Sequence, residues 1–302
     1  MSPRILLSGA SGQLGLCLIE RAAALGVDLI SLDRAALDIT DRNAMTHALT
    51  VHNPDFFINA AAYTKVDHAE QSAGKNREQA FAVNATGVAN VAAACAAQNV
   101  ALIHLSTDYV FAGQARHPYT ETDSPSPQGV YAASKLAGEK ACVEQGGRHL
   151  IIRTGWLYSE HGHNFLKTML RLAITKKRIA VVADQYGCPT YAGDLAAAIL
   201  QICIQGRIGP AVGGLYHYAG PTVCSWSEFA RIIFRQAQAQ GQLAHCPQVM
   251  DISSANYAAA APRPAYSALN STKFQHTFGI KIPPLKESLN AALYALRHQN
   301  EN

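Results

Sequence analysis

The feature that most constrains the fold is a glycine-rich turn near the N-terminus, between an apolar run and an amphipathic run. The apolar run covers Arg4 to Ser8 and predicts a strand, and the amphipathic run ends near Leu25 and predicts a helix. Gly9, Gly12 and Gly15 give the turn the spacing G-x-x-G-x-x-G. Such a turn brings backbone N–H groups and the positive end of a helix to one place, which suits a pyrophosphate. The spacing is a variant of the common dinucleotide fingerprint, so its weight comes from its position between strand and helix.

Apolar runs and helical stretches continue to alternate along the first half of the chain. Further strands are predicted near 27–32, 55–61, 101–105 and 149–152, with helices near 41–52, 78–99 and 130–145. This alternation predicts an α/β protein with a Rossmann-type, doubly wound parallel sheet that is covered on both faces. We expect a dinucleotide-binding domain at 1–155. The less regular segment 156–302 predicts a smaller, mainly substrate-binding α/β region, with some strands returning to the main sheet.

Small or charged residues follow the second and third predicted strands, at the edge where ligands bind in parallel sheets. Asp33 and Arg34 end the second strand. An acidic residue about 20 positions beyond the glycines suits a ribose diol, whereas an arginine suits a 2′-phosphate, so both NADH and NADPH remain open. Ala60, Ala61 and Ala62 follow the third strand, and their small side chains allow close approach of a cofactor.

Tyr131 and Lys135 lie four residues apart in a predicted helix and therefore share one face of it. An ammonium beside a phenol favours the phenolate and lowers the pKa of the tyrosine, which makes Tyr131 a candidate proton donor to a carbonyl under reduction. Thr107, at the end of the fourth predicted strand, offers a hydroxyl to hold the carbonyl oxygen. A tyrosine and a solvated lysine at this spacing also occur often by chance, so the pair gains weight from the glycine turn.

Composition and charge exclude several other classes of protein. The 302 residues are 49% hydrophobic and 15% charged, and a net charge of +4 is too weak to indicate nucleic-acid binding. Seven cysteines without a C-x-x-C pattern predict reduced thiols. No run approaches the ~20 apolar residues of a membrane span, so we expect a soluble, cytoplasmic protein. His161-Gly162-His163 lacks a third ligand at zinc-site spacing, and no metal site is predicted.

Longer strings of residues resemble the dTDP-4-dehydrorhamnose reductases, a family of extended short-chain dehydrogenases/reductases. These strings are NAAAYTKVD at 59–67, STDYVF at 106–111, KLAGEK at 135–140, RTGW at 153–156, NFLKTM at 164–169 and DQYGCPT at 184–190, with RP at 263–264 and LN at 269–270. The resemblance spans nearly the whole chain. Epimerases and dehydratases of the same superfamily share only the motifs of the first half.

The resemblance implies that the C4 ketone of dTDP-4-dehydro-L-rhamnose is reduced to dTDP-L-rhamnose with NADPH or NADH, in rhamnose and lipopolysaccharide biosynthesis. Tyr131 would donate the proton, Lys135 would assist it and hold the nicotinamide ribose, and Thr107 would orient the carbonyl. The implied cofactor-binding residues are Gly9, Gly12, Gln13, Leu14, Gly15, Asp33, Arg34, Asp38, Ile39, Ala60, Ala61, Ala62, Tyr131 and Lys135. The implied substrate-binding residues are Thr107, Asp108, Tyr109, Trp156, Asn164, Gln185 and Arg263.

The sequence leaves alternatives open for both the oligomeric state and the activity. Some family members bridge two subunits through glutamates and Mg²⁺, but the matching positions here are Cys17 and Gly193, which do not supply those carboxylates. A monomer and a weak homodimer are both allowed. A cofactor-binding regulatory subunit without turnover would keep the same cofactor motifs, and a sibling reductase would act on another nucleotide deoxysugar.

Overall fold

The structure is a computed structural model that describes residues 2–71, 74–209, 212–257 and 259–301. The strands in this part of the chain are β1 (Arg4–Ser8), β2 (Asp28–Leu32), β3 (Phe56–Asn59), β4 (Ala101–Thr107), β5 (His149–Thr154), β6 (Leu157–Tyr158), β7 (Arg178–Val182), β8 (Tyr186–Gly187), β9 (Thr190–Tyr191), β10 (Gly214–His217), β11 (Cys224–Ser225) and β12 (Gln248–Ile252). The helices are α1 (Gln13–Leu25), α2 (Arg42–His52), α3 (Val66–Gln71), α4 (Lys75–Phe81), α5 (Val88–Ala97), α6 (Val130–Glu144), α7 (Phe165–Thr175), α8 (Ala192–Gln205), α9 (Trp226–Ala239), α10 (Ser254–Tyr257), α11 (Thr272–Phe278) and α12 (Leu285–Glu301).

A six-stranded parallel sheet forms the centre of the protein, in the order β10-β5-β4-β3-β1-β2. Side chains of β1 alternate between its two faces, as the pleat of a strand requires. Ile5 and Leu7 join a core that includes residues of α1 and α8, whereas Leu6 joins a core with residues of α2 and α5. Both faces of the sheet are therefore covered, and the predicted doubly wound fold is confirmed.

The order of the strands reverses around β1, because β2 lies on one side of it and β3 on the other. In open α/β sheets the crevice beyond the carboxyl ends of such strands is the usual ligand site. Gly9 follows β1 and Ala60 follows β3, so the glycine turn and the alanine segment meet at this crevice.

The second half of the chain contributes to two cores. β10 pairs with β5 at one edge of the main sheet, and α8 packs on α1. A separate core contains residues of α7, α9 and α12, together with residues of β7, which pairs in parallel with β12. α9 begins with the capping box that Ser225 and Glu228 predict, because each residue caps a backbone N–H of the other.

The helix expected over 78–99 is interrupted by a π-helical turn at Ala82–Gly87, so the prediction of one continuous α-helix was wrong. Asn84 in this turn accepts a hydrogen bond from the backbone N–H of Tyr63 (2.8 Å) and donates to the hydroxyl of Ser134 on α6 (3.0 Å). Gly138 of α6 packs directly on the turn, since a Cβ at this position would lie 2.1 Å from the carbonyl oxygen of Asn84. The turn therefore sets the distance of α6 from the rest of the fold.

The stretch Lys75–Ala97 contains an 18-residue window with a mean hydropathy of 1.4, so by length and composition alone it could cross a bilayer. The expectation that no stretch comes near this threshold was therefore too strong. Here α4, the π-turn and α5 pack against α6, and α5 also packs against α2. Core helices of soluble proteins pass the same test, so this one helix is weak evidence for a membrane span.

Candidate active site

The glycine turn after β1 leaves no room for side chains. Gly9 has φ +80°, and a Cβ on it would lie 2.5 Å from the backbone nitrogen of Ala61. A Cβ on Gly15 would lie 2.3 Å from the carbonyl oxygen of Gly9. Gly12 stands at the N-cap of α1 and gives it no side-chain cap, so first-turn N–H groups keep their capacity to bind an anion. This cradle fits the pyrophosphate of a dinucleotide.

A cleft of about 320 Å³ lies beside this turn. The predicted cofactor-binding residues that line it are Gly9, Gly12, Arg34, Asp38, Ile39, Ala60, Ala61 and Ala62. Tyr63 and Lys65 also line it and were not predicted, although both belong to the string at 59–67. Residues from the ends of β1, β2 and β3 thus meet in one cleft.

Asp33 and Arg34 differ in their relation to this cleft. The Asp33 carboxylate accepts a hydrogen bond from the backbone N–H of Ala36 (3.0 Å), and Asp33 is not among the lining residues. Arg34 does line the cleft, where its Nε lies 3.4 Å from the carboxylate of Asp38. Both side chains of this ion pair are well exposed, so Asp38 holds the Arg34 guanidinium only weakly. A phosphate of the cofactor could therefore bind this guanidinium.

Gln13 and Leu14, which were also predicted to bind the cofactor, make contacts with the protein instead of lining the cleft. Leu14 is buried in the core beneath the sheet. The Gln13 amide oxygen accepts a hydrogen bond from the Ser159 hydroxyl (3.2 Å), and its nitrogen lies 3.4 Å from the carbonyl oxygen of Leu157. Their backbone N–H groups, in the first turn of α1, are the parts that can face a pyrophosphate.

Thr107 and Tyr131 meet at the carboxyl end of the sheet, the edge that also carries the glycine cradle. The Thr107 hydroxyl lies beside the Tyr131 phenol and acts to lower its pKa, but burial dominates and raises the pKa of Tyr131 to about 12. Asp108 raises the same pKa further. The phenol therefore holds its proton at neutral pH, as a proton donor must before the reaction.

Lys135 is buried, and its ammonium donates a hydrogen bond to the carbonyl oxygen of Leu105 (2.6 Å) at the end of β4. Burial lowers the pKa of Lys135 to about 8. The expected lowering of the Tyr131 pKa by Lys135 was wrong, because burial, Thr107 and Asp108 are the influences on the phenol among the described residues. Lys135 stays on the same helix face, one turn from Tyr131.

A chain of buried polar side chains crosses the sheet beneath these residues and was missed by sequence reasoning. The Ser8 hydroxyl donates to Asn59 (2.9 Å), and the Asn59 amide lies 3.2 Å from Nδ1 of His104. Burial first, and the charge of Lys135 second, hold the pKa of His104 well below its usual range. The signal in the sequence was a polar residue at the end of β1, another at the end of β3, and a histidine within the apolar run of β4.

Asp108, Tyr109 and Arg263 gather around Tyr131. The Tyr109 ring stands edge-on to Tyr131, with centroids 6.1 Å apart, and Arg263 lies close enough to Tyr109 to oppose the burial that raises its pKa. Arg263 also forms an ion pair with Asp67 (2.7 Å). These predicted substrate-binding residues thus surround the candidate proton donor.

A second cleft, of about 270 Å³, adjoins this group and contains Gln185 and Arg263 among its lining residues. Trp226 lines it as well and was not predicted. Trp156 lies behind Trp226, since the two rings stack in parallel with centroids 3.4 Å apart. Asn164 caps α7 by accepting from the N–H of Lys167 (3.1 Å), which gives its side chain a structural role.

The buried carboxyl of Asp108 predicts a pH-dependent stability. Burial raises its pKa to about 7, so between pH ~4 and ~7 the unfolded chain loses this proton while the folded protein keeps it. The contribution of Asp108 to stability is therefore full below pH ~4 and is lost as the pH rises towards 7. As the pH rises through this window, the free energy of unfolding of Asp108→Asn should increase relative to that of the wild type by up to about 4 kcal/mol. Urea unfolding at each pH measures this difference.

The exposed Glu144→Gln variant is the control for a single change from carboxylate to amide. A constant difference in unfolding free energy between Asp108→Asn and the wild type across this pH range would contradict the assignment.

The parallel sheet, the glycine cradle and the Thr107, Tyr131 and Lys135 group define a nicotinamide-dependent oxidoreductase of the extended short-chain type. The sequence pattern described as "RmlD substrate binding domain" matches residues 3–298. The chain belongs to the dTDP-4-dehydrorhamnose reductase family, which confirms the resemblance seen in its motifs.

Individual relatives are similar over nearly their full lengths. The dTDP-4-dehydrorhamnose reductase of Aggregatibacter actinomycetemcomitans is 41% identical over 295 residues, which cover 97% of this chain and 99% of that protein. The one from Sinorhizobium fredii is 40% identical, with 97% of each chain covered. The crystal structure of the Bacillus anthracis reductase in complex with NADP is similar with a TM-score of 0.89 at 36% identity, covering 98% of this chain and 100% of that one.

Proposed function

We propose that this protein reduces the C4 ketone of dTDP-4-dehydro-L-rhamnose to dTDP-L-rhamnose with NADPH or NADH. The observation that carries the proposal is the contact of Thr107 with a protonated Tyr131 at the carboxyl end of the parallel sheet, the same edge that carries the glycine cradle. The named relatives from A. actinomycetemcomitans and S. fredii support the choice of substrate.

The chain's own residues would prepare the ketone and supply its proton. The bound nicotinamide supplies a hydride to the carbonyl carbon. Thr107 donates a hydrogen bond that orients the carbonyl oxygen, and Tyr131 transfers its phenolic proton to this oxygen as negative charge develops there. Lys135, whose ammonium is held by the carbonyl oxygen of Leu105, would hold the nicotinamide ribose one helical turn from Tyr131. The Tyr109 ring, edge-on to Tyr131, and the buried Asp108 cover part of the phenol during the proton transfer.

We assign the cofactor and the nucleotide-sugar substrate to different clefts. We place the dinucleotide in the cleft beside the glycine turn, within residues 1–155. The nucleotide-sugar would lie in the second cleft, formed mainly by 156–302, where the Arg263 guanidinium suits a diphosphate and Trp226 offers an aromatic surface. The seven free cysteines, six of them buried, fit a cytoplasmic protein. Because residues of one chain line both clefts, this assignment fits a monomer or a weak homodimer.

Arg34 provides a test of cofactor choice. We expect Arg34→Ala to raise the KM for NADPH about tenfold, because a charge-assisted contact to the 2′-phosphate is lost, and to leave the KM for NADH nearly unchanged. Steady-state kinetics with each cofactor measure this. Arg42→Ala is the matched control, since Arg42 is an exposed arginine at the start of α2 and does not line the cleft. Equal effects on both cofactors would exclude a contact to the 2′-phosphate.

The activity itself is tested by mixing the protein with dTDP-4-dehydro-L-rhamnose and each reduced cofactor. Loss of the reduced-nicotinamide absorbance, together with dTDP-L-rhamnose identified by NMR, is the expected result. Turnover of a different 4-keto nucleotide-sugar only would identify a sibling reductase. A failure to oxidise either cofactor with any such substrate would favour the regulatory-subunit alternative.

A further inference from the structure

Three side chains from distant parts of the chain meet at the back of α1. Cys17 lies on α1, whereas Glu160 and His161 lie in the segment that follows β6. The thiol sulfur, a carboxylate oxygen and an imidazole nitrogen all lie within 4.8 Å of one another. Glu20, almost one turn further along α1, brings a second carboxylate oxygen to 3.0 Å from Nε2 of His161. Three potential ligand atoms therefore converge on one point, and a fourth, from the more exposed Glu20, lies beside His161.

The polar atoms of this group lack the partners that burial normally requires. Cys17 is 1% exposed and Glu160 4% exposed. One Glu160 oxygen accepts a hydrogen bond from the Tyr191 hydroxyl (3.1 Å), but the other has no hydrogen-bond partner among the described residues. Nε2 of His161 likewise has no hydrogen bond to any described residue. Glu20 lies close to it, but outside hydrogen-bonding geometry.

The electrostatics of the group call for a cation. A buried carboxylate is costly unless it is paired, and the ion-pair partner of Glu160 in the described structure is His161, at 4.0 Å. An imidazole nitrogen without a hydrogen-bond partner is a common metal ligand. A divalent cation would satisfy the Glu160 carboxylate, the Cys17 thiolate and the unpartnered imidazole nitrogen at once.

We propose that Cys17, Glu160 and His161 form a binding site for one Zn²⁺ ion, with the neighbouring Glu20 as its fourth ligand. Thiolate, imidazole and carboxylate are the ligands that Zn²⁺ takes in tetrahedral sites, whereas Mg²⁺ prefers oxygen ligands alone. Bonds of ~2.0–2.3 Å to one ion require donors within about 4.6 Å of each other, so small rotamer changes complete the geometry. This donor set comes from a single chain, unlike the glutamate bridge between subunits in Mg²⁺-dependent members.

The position of the site indicates a structural role. α1 begins at the glycine turn, and the segment that carries Glu160 and His161 also contains Ser159, whose hydroxyl donates to Gln13 in the first turn of α1. A metal bound here would tie the segment to α1 behind the cofactor cradle. Sequence reasoning considered His161 only with its neighbours, and the approach of Cys17 depends on the tertiary fold.

Cobalt binding tests the proposal, because a thiolate bound to Co²⁺ gives a charge-transfer band in the near ultraviolet. The full chain should be used without a histidine tag, in a Cys246→Ser background that removes the exposed thiol. We expect one Co²⁺ per chain, the thiolate band, and displacement of Co²⁺ by Zn²⁺ but not by a similar concentration of Mg²⁺. Zn²⁺ at a hundredfold excess over its Kd should raise Tm by about 4 °C.

Variants locate the site and separate binding from folding. Cys17→Ser should lose the thiolate band, whereas Cys203→Ser, a buried thiol on α8, should keep it. His161→Ala, at a less buried position, should weaken Co²⁺ binding tenfold or more while its fold is checked by circular dichroism. The proposal is overturned if the parent protein shows no band, if Cys17→Ser or His161→Ala binds Co²⁺ as tightly as the parent, or if Mg²⁺ displaces Co²⁺ as well as Zn²⁺ does.

Discussion

Replacement of Tyr131 by phenylalanine should lower kcat by about 10²–10⁴-fold and leave the affinity for NADPH nearly unchanged. The range is that of a side chain that transfers a proton in the transition state. The phenylalanine ring keeps the edge-on contact with Tyr109 and removes only the hydroxyl. Because the pKa of Tyr131 is raised to about 12 by burial, the wild-type phenol is protonated and ready to donate. Steady-state kinetics and a fluorescence titration with NADPH measure the two quantities.

Tyr294→Phe is the matched control, since this tyrosine is 65% exposed on α12, away from the sheet edge. Its kcat should equal that of the wild type. Full turnover by Tyr131→Phe would show that the proton comes from another group, and a large loss of NADPH affinity would show that the phenol mainly binds the cofactor.

Replacement of Glu139 by alanine should lower the free energy of unfolding by about 3–5 kcal/mol, which is a large share of the stability of a typical domain. Glu139 lies on α6, and its carboxylate accepts two hydrogen bonds from Arg153 on β5 (2.9 and 2.6 Å) and one from the Ser106 hydroxyl. Both charged side chains are buried. The alanine would leave the Arg153 guanidinium buried without its counter-ion, and urea unfolding measures the loss.

Glu144→Ala, on the same helix but exposed, is the control and should change the free energy of unfolding by less than about 0.5 kcal/mol. If Glu139→Ala were as stable as this control, the buried pair would contribute nothing beyond its packing. Since α6 also carries Tyr131 and Lys135, the Glu139 variant should lose activity at temperatures where it still retains most of its helical signal.

The sequence predicted the parts of the site that depend on local pattern. Spacing of four on a helix placed Tyr131 and Lys135 on one face, and strand ends placed Thr107 and Ala61 at one edge, because parallel strands bring their carboxyl ends together. The glycine spacing indicated a tight turn, and the contacts of Gly9 explain why only glycine fits there. These inferences require only the periodicity of the chain and the rule for the edge of a parallel sheet.

The parts that were missed depend on packing between distant segments. The direction of the Tyr131 pKa shift follows from burial, which spacing along a helix does not reveal. Trp226 reaches the second cleft by stacking on Trp156, and the two lie on separate elements. The π-turn at Ala82–Gly87 contains the weak helix formers Thr86 and Gly87, but these do not specify a π-turn, which is held by the contacts of Asn84 with Tyr63 and Ser134. In each case the deciding contact joins residues that are far apart in the sequence.

The contact between Gly138 and the π-turn limits which residues position 138 can accept in homologues and in engineered variants. Even alanine would bring a methyl group to 2.1 Å from the Asn84 carbonyl oxygen, and backbone on both sides leaves no flexible side chain to move away. Relief would require α6 to slide or tilt, which would carry the reactive phenol away from its threonine. A saturation library selected for activity should therefore return glycine alone at position 138, whereas a library at the exposed Glu144 of the same helix should return many residues.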